Sequence, residues 1–275
     1  MRIDSHQHFW RYNSVDYGWM SDKMGTLKQD RLPEDLKPLL VQAGIEGTVA
    51  VQARQTVSET EFLLELADQY EWIRGVVGWL DLRSPQFKSQ LEKYATHPKL
   101  KGLRHVVQDE PDDGFMLQPE FLNGLSLLAD FNLAYDLLLL PRHLPGAVEV
   151  VRKFPQQRFV LDHIAKPLIG EHVLTPWEAD IRALAQFENV LCKVSGMVTE
   201  AAWRHWQATD FKPYLEVVFD CFEVDRLMFG SDWPVCTLSA DYPQVVSIIQ
   251  DYAKDLTVEA QDKIFGRNAA EFYQL

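Results

Sequence analysis

The amino-acid sequence predicts an α/β chain folded as one (β/α)8 barrel. Short apolar runs rich in Val, Ile, Leu and Phe alternate with longer helical patterns eight times over, the signature of repeated βα units around a parallel sheet. The length of 275 residues matches the roughly 250 that such a barrel takes. No low-complexity tract, Gly/Ser linker or internal repeat divides the chain, so residues 1–275 are read as a single domain.

The eight candidate strands fall at 2–9, 47–53, 75–82, 102–107, 133–139, 159–164, 190–195 and 227–231. Helix starts between them have a physical cause. Ser58 followed by Glu61 reads as a capping box, in which each side chain satisfies a backbone N–H of the first turn. Thr175, Pro176 and Glu178 repeat the device, with Pro176 at the first helical position, where its missing donor costs nothing. Ser84-Pro85 marks a third start. Residues 10–32 lack helical periodicity and form a long connection leaving the C-terminal face, where barrel active sites sit. Two readings stand: a lid carrying Trp10, Tyr17 and Trp19 over a substrate, or a loop packed on the barrel surface.

Hydrophobic residues make up 47% and charged residues 24%, the balance of a globular protein with a sizeable core. Lys and Arg number 27 against 40 Asp and Glu, and the resulting charge of −13 repels phosphate backbones and anionic lipid. Nucleic acid and membrane surfaces are therefore excluded as partners, a small molecule is expected, and a homo-oligomer is left open. Cys192, Cys221 and Cys236 are odd in number and widely spaced, which gives neither a disulfide framework nor a metal motif. With no apolar leader and no membrane-length run, the cytoplasm is the expected location.

The chemistry gathers at strand ends. His6 and His8 alternate on the first strand, so both imidazoles face the barrel axis and can share a divalent cation. His163 ends the sixth strand. Asp232 ends the eighth, which adjoins the first because a barrel closes; a carboxylate after so apolar a strand needs a cation or hydrogen-bond partner. Arg104 ends the fourth strand, where its planar fork can grip a carbonyl or carboxylate, or pair with a structural acid. If Arg104 points inward, His105 points outward. Gln52 and Arg54 follow the second strand, Trp79 and Asp81 the third, and Asp136 the fifth, which places polar groups and an aromatic ring near one mouth, as a polyol requires. Trp10 joins Gln52, Trp79 and Arg104 as a candidate substrate contact. Cys236 has nothing beside it to lower its pKa and is read as a bystander.

Six motifs then stand in register: Asp4-Ser5-His6-Gln7-His8-Phe9, Gly75-Val76-Val77-Gly78-Trp79-Leu80-Asp81, Lys101-Gly102-Leu103-Arg104-His105, Asp162-His163-Ile164-Ala165-Lys166-Pro167, Gly230-Ser231-Asp232-Trp233-Pro234 and Ile264-Phe265-Gly266-Arg267-Asn268-Ala269. With them the chain resembles the amidohydrolase superfamily over its whole length. Within it, the chain resembles the subgroup of lactonases that act on 2-pyrone-4,6-dicarboxylate and on sugar-acid lactones such as L-fuconolactone and L-rhamnonolactone.

The resemblance implies that Asp232 is the general base on water, and that His6, His8 and His163 bind a metal or polarise the scissile carbonyl. Many metal-dependent relatives carry a carboxylated Lys on the fourth strand or a ligand His on the fifth. Here those strands offer Arg104-His105 and Asp136, which argues against a tight dinuclear centre. The expectation is at most one weakly held zinc or manganese ion between His6, His8 and Asp232, with His163 as a further ligand, and metal-free hydrolysis as the alternative. The expected reaction is hydrolysis of a sugar-acid lactone. Set against it are non-oxidative decarboxylation of an aromatic acid, within the same superfamily, and a catalytically silent sugar-binding barrel.

Overall fold

The computed structural model describes residues 1–275. Eight parallel strands pair in chain order: β1 (Ile3–Gln7), β2 (Gly47–Val51), β3 (Ile73–Gly78), β4 (Leu100–His105), β5 (Ala134–Leu137), β6 (Phe159–Leu161), β7 (Val190–Val194) and β8 (Leu227–Phe229). The last strand meets the first through a parallel bridge between Gln7 and Trp233. The Asp232 N–H donates to the His6 carbonyl at 2.8 Å and the His8 N–H to the Trp233 carbonyl at 2.7 Å, which brings the ring round.

Helices α1 (Pro33–Ala43), α2 (Val57–Gln69), α3 (Phe87–Tyr94), α4 (Pro119–Leu125), α5 (Leu144–Lys153), α6 (Trp177–Leu184), α7 (Met197–Glu200), α8 (Ala208–Phe222), α9 (Tyr242–Ala253), α10 (Val258–Asp262) and α11 (Asn268–Tyr273) occupy the connections and the C-terminal segment. Their ends follow local chemistry. Leu32 N–H is accepted by Asp35 at 2.9 Å before Pro33 opens α1, and Gly44, at φ 66°, ends it. Asp241 and Gln244 cap α9 reciprocally, at 2.8 and 2.9 Å.

Two apolar layers follow from strand alternation. The outer one, 66 buried residues, seals the strands against the helices. The inner one fills the lumen with Val49, Val51, Val77, Ala134, Val160 and Met228, stoppered from below by Ala269, Phe272 and Tyr273 of α11. Polar residues lie above this plug, so the apolar floor lifts the chemistry to the C-terminal mouth.

Three helix starts differ from expectation. The cap of α2 is Thr56, whose hydroxyl accepts the Glu59 N–H at 3.2 Å, while Glu59 turns inward instead of closing a box at Ser58 and Glu61. α6 begins at Trp177, one residue beyond Pro176, without a side-chain cap. At Ser84 the hydroxyl holds a turn by accepting Gln86 N–H at 3.1 Å, and α3 starts only at Phe87. The 10–32 connection contains a short 3-10 helix at Asp22–Leu27. Trp10, Tyr17, Met20 and Leu27 pack with Leu238 into a small core of their own.

Candidate active site

Asp232 is the hub. Its Oδ1 faces His8 Nε2 at 3.2 Å, His163 Nε2 at 3.7 Å and His6 Nε2 at 3.9 Å, all four side chains being buried at the C-terminal mouth. Glycines allow this approach. A Cβ on Gly230 would fall 2.7 Å from His6 Cβ, and one on Gly196, itself at φ 65°, would fall 2.5 Å from His163 Nδ1. After β6 the backbone runs left-handed through His163, Ile164, Ala165 and Lys166, with φ from 48° to 57°, a costly conformation for four L-residues that aims His163 at Asp232.

The ring orientations have consequences. His8 Nδ1 donates to the Val51 carbonyl at 2.7 Å, because a carbonyl can only accept. A neutral His8 therefore turns the lone pair of Nε2 toward the Asp232 oxygen. Two acceptors 3.2 Å apart need a positive species between them, either a proton or a metal ion. His6 Nε2, His8 Nε2 and Asp232 form a two-nitrogen, one-oxygen set that suits zinc, and His6, Asp162 and His163 form an adjoining one. Arg104 competes for the first: its Nη1 lies 3.2 Å from His6 Nε2 and directs a hydrogen at that lone pair.

Beneath lies a charge layer that sequence reasoning missed in part. Arg104 Nη1 bonds Asp162 at 3.0 Å, and Arg104 Nη2 donates to the Gln52 carbonyl. Lys193, fully buried on β7, reaches Asp136 at 2.5 Å, Asp162 at 3.0 Å and His6 Nδ1 at 3.2 Å. The Tyr273 hydroxyl, from α11, donates to Asp136 at 2.7 Å. Burial alone would raise the Asp162 pKa, yet Lys193, His6 and Arg104 outweigh it and hold the carboxyl well below its ordinary range. Asp232 likewise stays ionised, with His163 and His8 outweighing burial. Burial pushes His163 down to about 4 and His6 well below its usual value, which keeps both imidazoles neutral. Asp4, pushed up to about 6 by burial, accepts from Ser231 N–H, His6 N–H and the Tyr242 hydroxyl, tying the two ends of the ring together.

Above the hub opens a cavity of about 430 Å³, lined by His8, Arg104, His163 and Asp232 at its base. Arg54, Asp16, Trp19, Gln108 and Lys166 stand among its walls. Four expectations are corrected. Trp10 is sealed in the loop's own core, its indole N–H on the Gln29 carbonyl, and does not reach the cavity. Gln52 is fully buried below the lining, with Nε2 on the Arg104 carbonyl. Trp79 turns outward to His105, which stacks on Phe115 and bonds Glu110 behind the sheet. Asp136 lies in the charge layer and not at the mouth: although β5 sets it level with Arg104, its carboxylate turns to Lys193 and the Tyr273 hydroxyl. Of the loop aromatics only Trp19 lines the cavity; Tyr17 packs beneath it.

A family model described as "Amidohydrolase" matches residues 3–275. This chain belongs to the amidohydrolase family. It is similar to two curated amidohydrolase relatives named L-fucono-1,5-lactonase. One, from Burkholderia multivorans, is 41% identical and aligns with 100% of this chain and 96% of the relative. The other, from Burkholderia ambifaria, is 36% identical with the same coverage. A crystal structure of an amidohydrolase from Burkholderia multivorans with bound zinc, also 41% identical, superposes with a TM-score of 0.96 over 100% of this chain and 99% of that one. No helix of the chain is long and apolar enough to cross a membrane.

One amidohydrolase carboxyl stands apart from the hub. Glu59 is buried and accepts from Arg54 N–H, Ala53 N–H and the Tyr17 hydroxyl, at 2.7, 3.1 and 3.4 Å. Burial raises its pKa to about 7, against those amides and the nearby Arg54 charge. Between its ordinary value near 4.5 and that value, the folded chain holds a proton that the unfolded chain has lost, so stability falls as pH rises through this window. Glu59→Gln is expected to flatten the decline of melting temperature between pH 5 and 8. An unchanged slope would mean that Glu59 is ionised throughout.

Proposed function

We propose that this amidohydrolase hydrolyses a sugar-acid lactone of the L-fucono-1,5-lactone type, with Asp232 as general base. The observation that carries the reading is the Asp232 carboxylate facing three imidazole nitrogens, with the Arg104 guanidinium beside them, at the base of a polar-walled cavity. The similarity to two L-fucono-1,5-lactonases supports the substrate class.

In this mechanism Asp232 accepts a proton as a water oxygen bonds to the lactone carbonyl carbon. Arg104 and the histidine edge face the negative charge that grows on the carbonyl oxygen. The ring C–O bond then breaks, and the proton held by Asp232 passes to the departing alkoxide, giving a hydroxy acid that ionises in water. The charge layer keeps Arg104 and His6 in place without reorganisation. A bound divalent ion, held by His6, His8 and Asp232, would polarise a carbonyl or acidify a water. The decarboxylase alternative calls for a further histidine on the fifth strand, where Asp136 is committed to Lys193.

Acid release from a panel of 1,4- and 1,5-sugar lactones tests the proposal. Turnover of a 1,5-lactone is expected; inertness toward all of them, with carbon dioxide released from an aromatic acid instead, would overturn it. A second expectation concerns the metal. Because Arg104 contests the His6 lone pair, protein purified without added metal should hold at most one equivalent of zinc or manganese. Chelation should strip it with little change in melting temperature. Two equivalents, or unfolding on chelation, would contradict this account.

A further inference from the structure

The cavity wall carries a second constellation that the hydrolytic step does not use. Arg54, just beyond β2, forms an ion pair through Nη1 with Asp16 Oδ2, from the 10–32 loop, and both residues line the cavity. Asn13 Nδ2 donates to the same Asp16 oxygen at 2.7 Å, which leaves Oδ1 to other donors. Behind the pair stands Glu59. One of its oxygens fixes the backbone of Ala53 and Arg54, and the other takes the hydroxyl of Tyr17, the neighbour of Asp16. A buried carboxyl is costly, and here it ties together the two segments that bring Arg54 and Asp16 to one place.

We propose that Arg54 and Asp16, positioned by Glu59, form a clasp that reads neighbouring hydroxyl groups and so selects polyhydroxylated lactones. The inference rests on the lactonase reading above. A guanidinium only donates and a carboxylate only accepts, whereas each hydroxyl does both. Two adjacent hydroxyls therefore satisfy the pair together, through charge-assisted bonds that an unsubstituted ring cannot make. The clasp stands on the wall and not at the base, so it meets the substrate's substituents while Asp232 and Arg104 meet its carbonyl.

The test is the ratio of kcat/KM for L-fucono-1,5-lactone to that for δ-valerolactone, a six-membered lactone without hydroxyls. Loss of a charge-assisted bond predicts that Arg54→Gln and Asp16→Ala each lower this ratio about 10- to 100-fold, chiefly through KM for the sugar lactone. Glu59→Gln should move the ratio in the same direction by a smaller factor, with kcat for the sugar lactone less affected than KM. A ratio that survives Arg54→Gln and Asp16→Ala, whether because neither lactone suffers or because both suffer equally, overturns the clasp. A ratio that falls in those variants but holds in Glu59→Gln overturns the positioning role of Glu59. If the unaltered chain hydrolyses neither lactone, the reading of function falls with the clasp. Hydrolysis of both with an unmoved ratio removes the clasp alone.

Discussion

Asp232→Asn is expected to lower kcat by about 10²- to 10⁴-fold while the chain still folds. Asn is nearly isosteric with Asp and keeps an oxygen toward His8, but it cannot take a proton from water. The native carboxylate, its pKa held down by His163 and His8 against burial, is ionised across the neutral range, whereas the amide has no group to ionise there, so the loss should not be recovered by raising the pH. Steady-state kinetics on the best lactone, with melting temperature as a control for folding, decides the matter. Wild-type kcat in folded Asp232→Asn would remove Asp232 from the reaction and move the base to one of the histidines.

Lys193→Met is expected to be the most damaging substitution for stability. Its ammonium is fully buried among Asp136, Asp162 and His6. Removing one partner of a buried charge cluster costs about 3–5 kcal/mol, since the carboxylates remain uncompensated. For a chain of this size that corresponds to a fall in melting temperature of roughly 6–20 °C. Chemical denaturation monitored by circular dichroism measures the same loss. Unaltered stability would show that Asp136 and Asp162 take up protons and dispense with the cation.

Much of this was legible in the chain. Eight strands were readable because a parallel barrel makes every strand apolar on both faces, and their positions held to within a few residues at either end. His6, His8, His163 and Asp232 were readable because strand ends at one face are where the fold puts chemistry. The charge layer was harder to find. Leu191-Cys192-Lys193-Val194 passes as an apolar strand, although strict alternation, with Cys192 in the outer core, would have turned Lys193 into the lumen. Tyr273 carried no local signal, since only the closed barrel sets the C-terminal helix against Asp136, 137 residues away. Gln52 and Trp79 were misplaced for a related reason. Where β2 and β3 stop decides whether the next side chain enters the mouth or folds against a neighbour, and strand ends are what sequence patterns locate least well.

The seam between β8 and β1 carries a kinetic implication. Close contacts across it, between Ser231 and Asp4 and between His8 and Asp232, join residues separated by 227 and 224 positions, close to the full span of the chain. Contacts of such high order form late, because a long loop must be closed before they repay its entropy. The Asp232 carboxylate and two of the histidines that face it, His6 and His8, lie on opposite sides of that seam. A partly folded chain with most of its helices in place would therefore have no assembled centre, and in refolding the return of turnover would report the moment the ring shuts.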